Sequence, residues 1–152
     1  MTMPMDLGKY PVTVRIEIAW SDLDALGMVN NVLFYRYFER ARFEYYARLG
    51  MAPGSASGGI GPVMAYSSCR YLASLTYPEA VTVGARIREM GMTSLVMEFV
   101  IVGDRAGKAA LGETVIVMTE YATGAKVPLP GALREAVRTI EGGRVKERDG
   151  GE

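Results

Sequence analysis

Between a strand-like segment and an apolar helix-like segment, the chain reads Asp22-Leu23-Asp24-Ala25-Leu26-Gly27-Met28-Val29-Asn30-Asn31. Two carboxylates, a glycine and two carboxamides thus lie where a helix is about to begin. The first turn of a helix carries unpaired N–H groups and a partial positive charge. Donors of that kind can hold an acyl carbonyl oxygen and the oxyanion that develops on it. A carboxylate a few residues earlier could then attack the carbonyl or deprotonate a water aimed at it. The same residues also make an ordinary capped turn, and on spacing alone that structural role is the stronger reading. Asn30 and Asn31 divide in the same way, between orienting water and capping the helix.

Composition narrows the chemistry further. The 152 residues contain no histidine, which removes Ser-His-Asp and Cys-His catalysis as well as histidine metal sites. Cys69 is the single cysteine, so no intramolecular disulfide or cysteine zinc site can form. It lies in an apolar run and reads as a buried structural thiol. Acid-base work therefore falls to carboxylates. Lys plus Arg and Asp plus Glu balance at 17 each, without the basic excess of a general nucleic-acid binder. Residues 1–10 have neither the apolar run of a signal peptide nor that of a membrane span, and a cytoplasmic protein that binds neither nucleic acid nor membrane is expected.

The elements that must position these groups follow from periodicity. Val12, Val14, Ile16 and Ile18 alternate with Thr13, Arg15 and Glu17, as in a half-buried strand. Asn30 or Asn31 caps a helix that runs to Leu49 and stops at Gly50. Phe34, Phe38, Ala41, Tyr45 and Leu49 form its apolar stripe, widened by Tyr35, Tyr37, Phe43 and Tyr46, so cover on most sides is expected. Residues 51–61 read as a flexible connection. Strands are expected over 62–72, 81–88, 94–102 and 111–121, with short breaks that suit an antiparallel meander. Residues 131–141 can form a short helix with Leu133, Val137 and Ile140 on one side, and 142–152 a frayed tail. The plan is α+β, one antiparallel sheet covering one helix within a single domain over 1–141. Its uncovered face or edge favours an oligomer.

Over about residues 12 to 130 the chain resembles the hot-dog-fold acyl-CoA thioesterases, in the branch that includes 4-hydroxybenzoyl-CoA thioesterase. The resemblance rests on the 22–31 stretch, on Tyr35, Tyr37 and Glu39-Arg40-Ala41-Arg42, on Ser68-Cys69-Arg70-Tyr71, on Gly91-Met92-Thr93-Ser94 and on the segment 121–130. It implies an antiparallel sheet wrapped around one long central helix, and subunits joined as a homodimer or homotetramer with active sites at the interface. It implies an acyl-CoA or acyl-carrier-protein substrate and no metal or other cofactor. The second aspartate of the D-x-D-x-x-G pattern, here Asp24, would be the base or nucleophile. Backbone N–H groups of Gly27, Met28 and Val29 would form the oxyanion site, and Asn31 and Tyr35 would contact substrate. Many relatives carry histidine after the glycine, where this chain has Met28. A non-catalytic acyl-CoA or lipid-binding hot-dog protein is the alternative, and a dehydratase is disfavoured for want of histidine.

Glu39 on the helix could reach a pocket, although an ion pair with Arg36 or Arg42 is the simpler role. Arg70, Arg86 and Arg88 could meet CoA phosphates, although alternating arginines on a strand normally make a solvated face.

Overall fold

The computed structural model describes residues 7–51 and 59–148. Strand β1 (Val12–Glu17) leads through a 3-10 turn at Trp20–Asp22 to helix α1 (Asn31–Arg48). Strands β2 (Ile60–Tyr71), β3 (Ala80–Met90), β4 (Ser94–Gly103) and β5 (Gly107–Glu120) follow, then helix α2 (Gly131–Glu141) and the two-residue strand β6 (Lys146–Glu147). The expected elements are all present, with ends shifted by a few residues. Most of the expected connection, residues 52–58, and the last residues of the tail, 149–152, lie outside the described residues. No helix among the described residues is long and apolar enough to cross a membrane.

The sheet order is β1-β3-β4-β5-β2, with β6 paired to β3. This corrects the expected simple meander: β3, β4 and β5 follow one another, but β2 crosses to the far edge beside β5. The place beside β3 is taken instead by β1, antiparallel from Val12↔Ala85 to Glu17↔Ala80. Period-2 patterning specifies which face of a strand is buried, but not which strand lies beside it.

The chain divides into two compact units. One comprises residues 1–45, 69–86 and 99–112, the other 46–68, 87–98 and 113–152. In the first, the α1 stripe is buried through Phe34, Phe38, Ala41 and Tyr45. The Phe38 ring stacks on Phe99 of β4 at 4.9 Å between centroids. It also lies over Gly112 of β5, where an added Cβ would come within 2.5 Å of its ring carbons. That close approach is open only to glycine. Gly112→Ala is therefore expected to cost about 1–3 kcal/mol through overpacking. Thermal unfolding should show it as a fall of about 2–4 °C for each kcal/mol, and an unchanged midpoint would contradict this packing. Tyr35 and Phe43 are exposed, so the helix is less fully covered than its aromatic content suggested. Elsewhere in this unit Leu7 and Tyr10 pack with Val100 and Val102, giving the apolar side chains of β4 that alternate with Phe99 a cover of their own.

In the second unit, α1 ends in a Schellman motif, with Met51 N–H donating to the Tyr46 carbonyl and Gly50 N–H to that of Ala47. Helix α2 buries Leu133, Val137 and Glu141, while Ile140 is only partly covered. The Glu141 carboxylate accepts the Ile87 N–H of β3 at 2.9 Å, two residues beyond the last β1 partner on that strand. The expected frayed tail is in part ordered, because Lys146 and Glu147 pair in parallel with Glu89 and Met90. The Met90 carbonyl also accepts the Arg148 N–H at 2.8 Å. A bare strand edge presents a row of unmatched backbone groups, and this segment matches them. Arg134 and Arg138 hold Glu147 in place by ion pairs at 3.3 and 2.8 Å.

Candidate active site

The segment between β1 and α1 is a closed miniature hairpin. Leu23 and Val29 form an antiparallel bridge. Asp24 N–H donates to the Met28 carbonyl at 2.7 Å, and Asn30 N–H to the Asp22 carbonyl at 2.9 Å. At the tip, Gly27 takes φ +82°, a conformation glycine adopts without steric cost. The Asp24 carboxylate turns back on this tip, its Oδ1 accepting N–H groups from Leu26 at 2.8 Å and Met28 at 3.2 Å. An aspartate bonded to its own backbone two residues on is an Asx turn. Its Oδ2 has no partner among the described residues. The carboxylate is therefore fixed in orientation through one oxygen and open through the other.

Helix α1 starts cleanly beside it. Asn30 is the N-cap, its Oδ1 accepting Val32 N–H at 3.1 Å and its carbonyl accepting Leu33 N–H at 2.9 Å. Asn31 is the first helical residue, and its N–H makes no hydrogen bond among the described residues.

Asp24 and Asn31 line the same cavity of about 350 Å³, together with Met28, Val29, Phe34 and the run Tyr71-Leu72-Ala73-Ser74. The run is tied down at each end. Leu72 and Ala73 N–H both donate to the Ala109 carbonyl, at 2.8 and 3.1 Å, and the Leu75 carbonyl accepts Val29 N–H at 2.8 Å. Tyr71 donates its hydroxyl to the Asn31 carbonyl at 3.1 Å and sets its ring edge-on to Phe34 at 5.0 Å. Burial, with Cys69 adding to it, raises the Tyr71 hydroxyl above the ordinary tyrosine value, so at neutral pH it stays a neutral donor. Burial also raises the Cys69 thiol, as suits a packing residue rather than a thiolate.

Of the residues singled out from sequence, the cavity gathers Asp24, Met28, Val29 and Asn31 and leaves out Gly27 and Tyr35. Tyr35 is exposed and packs its ring edge-on against Phe38. The three expected oxyanion donors are already engaged. Gly27 N–H goes to the Asp24 carbonyl, Met28 N–H to the Asp24 carboxylate and Val29 N–H to Leu75. Closure of the hairpin consumes the first two and Leu75 the third, and the next amide without a partner among the described residues is at Asn31. Leu72 and Ser74 carry no signal of their own in the sequence, and Tyr71 stands out only within the Ser68–Tyr71 run; an edge-strand end can be placed beside a helix start only with the fold in hand.

Two of the remaining candidates are held in ion pairs. Glu39 pairs with Arg42 at 3.7 Å. Arg88 is held by Glu98 and Glu113 at 2.6 and 2.9 Å. No group of three or more metal-ligating side chains occurs among the described residues.

Comparison with known proteins agrees with this architecture. Residues 18–137 match the sequence model of the thioesterase-like superfamily. A thioesterase from Thermus thermophilus, solved in complex with coenzyme A and Zn, is 37% identical and superposes with a TM-score of 0.78 over 89% of this chain and 97% of its own. A DHNA-CoA thioesterase from Staphylococcus aureus, 22% identical, superposes with a TM-score of 0.79 over 90% and 97% of the two chains and shows the shared fold. The uncharacterized Bacillus subtilis protein YsmA is 27% identical over 85 residues; the match spans 56% of this chain and 56% of that protein. The fold is the α+β hot-dog fold.

Proposed function

The chain belongs to the thioesterase-like superfamily, and from that premise we propose that it hydrolyses an acyl-CoA thioester to the free acid and CoA, with Asp24 and the Asn31 amide as the reacting pair. The observation that carries this reading is their shared cavity, a carboxylate with one open oxygen beside an uncommitted N–H at a helix start. The thioester carbonyl oxygen would take the Asn31 N–H, where the helix dipole favours developing negative charge. Asp24 Oδ2 would either attack the carbonyl carbon, expelling the CoA thiolate to leave an anhydride that water then cleaves, or take a proton from a water that attacks the carbonyl as the C–S bond breaks and the CoA thiolate leaves. Both routes use the same two groups. Gly27, Met28 and Val29 serve by holding Asp24 in register rather than by touching the oxyanion. Phe34, Tyr71 and Leu72 supply apolar surface for the acyl group. CoA as the carrier is supported by the coenzyme A bound in the Thermus relative.

The test offers purified protein a panel of aliphatic and aromatic acyl-CoAs while free thiol is followed. Release from at least one substrate with turnover is expected. Ligand-dependent thermal stabilisation without thiol release would contradict hydrolysis and favour a binding protein.

We also propose a homodimer formed along β2. That strand is a sheet edge of 12 residues and exposes Ile60, Val63, Met64 and Tyr66. Natural sheets seldom leave a long apolar edge bare, and a second copy could cover it. Met64→Lys with Tyr66→Lys should convert a dimer to monomer in sedimentation velocity. A monomeric parent protein would contradict the proposal.

A further inference from the structure

We infer that Asp22 and buried Tyr37 are a positioning pair, setting the distance between Asp24 and the Asn31 amide; this rests on the hydrolytic reading above. The two reacting groups sit on different elements. Asp24 is at the tip of the hairpin, whereas Asn31 is the first residue of α1. A helix start and a hairpin joined only by chain can pivot, and a shift of about 1 Å at a reacting centre can cost on the order of 100-fold in rate. Asp22 lies at the hairpin base, its carbonyl bonded to Asn30 N–H at 2.9 Å. Its carboxylate Oδ2 accepts both the Ala19 N–H at 3.0 Å and the Tyr37 hydroxyl at 2.9 Å. Tyr37 is only 3% exposed and stands six residues along the helix from Asn31. One carboxylate oxygen therefore joins the strand exit, the hairpin base and the body of α1.

The chemistry of the pair is that of a fixed bond, not of an acid or base. Burial, and then the Asp22 carboxylate, hold the Tyr37 hydroxyl far above its ordinary value, so it stays protonated throughout the working range. Neither group lines the cavity beside Asp24. Their effect on the reaction passes through Asp24, and the two aspartates of the D-x-D pattern have different tasks: Asp22 anchors and Asp24 reacts.

The test compares Tyr37→Phe, Asp22→Ala, the double variant and Asp22→Asn by kcat and KM on the best acyl-CoA of the panel, with Asp24→Asn alongside. Tyr37→Phe and Asp22→Ala should each lower kcat by about 10-fold or more, at the scale set by misplacement, with little change in KM. The double variant should be no worse than Asp22→Ala alone, because that substitution already removes the bond to Tyr37. Asp22→Asn keeps an acceptor oxygen for both donors and should restore most of the kcat, which a role for the charge would not allow. Tyr37→Phe at the parental kcat, or additive losses in the double variant, would overturn the pair. If Asp24→Asn is fully active, Asp24 has no part in the chemistry and the assignment on which the pair rests has failed; if it is inactive while Tyr37→Phe keeps the parental kcat, only the pair has.

Discussion

Asp24→Asn is expected to lower thioester hydrolysis by about 10²–10⁴-fold, the range associated with loss of a positioned acid-base group. The substitution is a narrow one. The carboxamide oxygen can still accept the Leu26 and Met28 N–H groups that Asp24 Oδ1 accepts, so the hairpin tip keeps its turn. What is lost is the negative charge and basicity of a carboxylate that lines the cavity. Circular dichroism and the unfolding midpoint should stay close to those of the parent while thiol release collapses. Equal rates for the two proteins would remove Asp24 from the chemistry.

The second large effect is expected at the backbone. Asn31→Pro deletes the N–H that the start of α1 leaves without a partner among the described residues. Proline is well tolerated there, because the first helical position needs no intrahelical donor and its φ suits the helix. The preceding residue must be extended, as N-caps are, and Asn30 is the N-cap. The Asn31 carbonyl that receives the Tyr71 hydroxyl also survives. A fall of about 10²–10³ in kcat is expected, the scale for removal of one oxyanion donor. Asn31→Ala, which retains the N–H, should keep most of the activity. If alanine and proline lose activity alike, the side chain rather than the amide is at work.

How much of this was legible in the sequence varied with the range of the interactions involved. The α1 start and the burial of Phe34, Phe38, Ala41 and Tyr45 are local matters of capping and 3.6-residue spacing, and both were read from residues alone. The run Phe34-Tyr35 is harder: neighbouring aromatics point about 100° apart on a helix, and only packing decides that Phe34 turns toward the cavity and Tyr35 toward solvent. The position of β2 at the sheet edge depends on which strand it meets, and its own pattern does not encode that choice. Lys146 and Glu147 carry no strand signal; they become β6 because β3 extends past the end of β1.

The same limit explains the shift of the proposed oxyanion donor. The sequence places the helix start at Asn30 or Asn31, and any of the amides from Gly27 onward could face a substrate. Which of them is spent depends on Asp24 folding back onto Met28 and on Val29 reaching Leu75. The second contact joins residues 46 positions apart, beyond the reach of local patterning. The division of labour within Asp22-Leu23-Asp24 has a similar origin, since a bond from Asp22 to Tyr37 requires the hairpin to lie against α1.

The account is tested most directly by the structure of the Asp24→Asn protein bound to an intact acyl-CoA. The thioester oxygen is predicted to lie about 2.7–3.1 Å from the Asn31 backbone nitrogen. Its carbonyl carbon should lie either about 3–3.5 Å from the side chain at position 24, or one ordered water away from it. A thioester seated elsewhere, with the Asn31 amide bonded to solvent and position 24 out of reach of the acyl carbon, would contradict it.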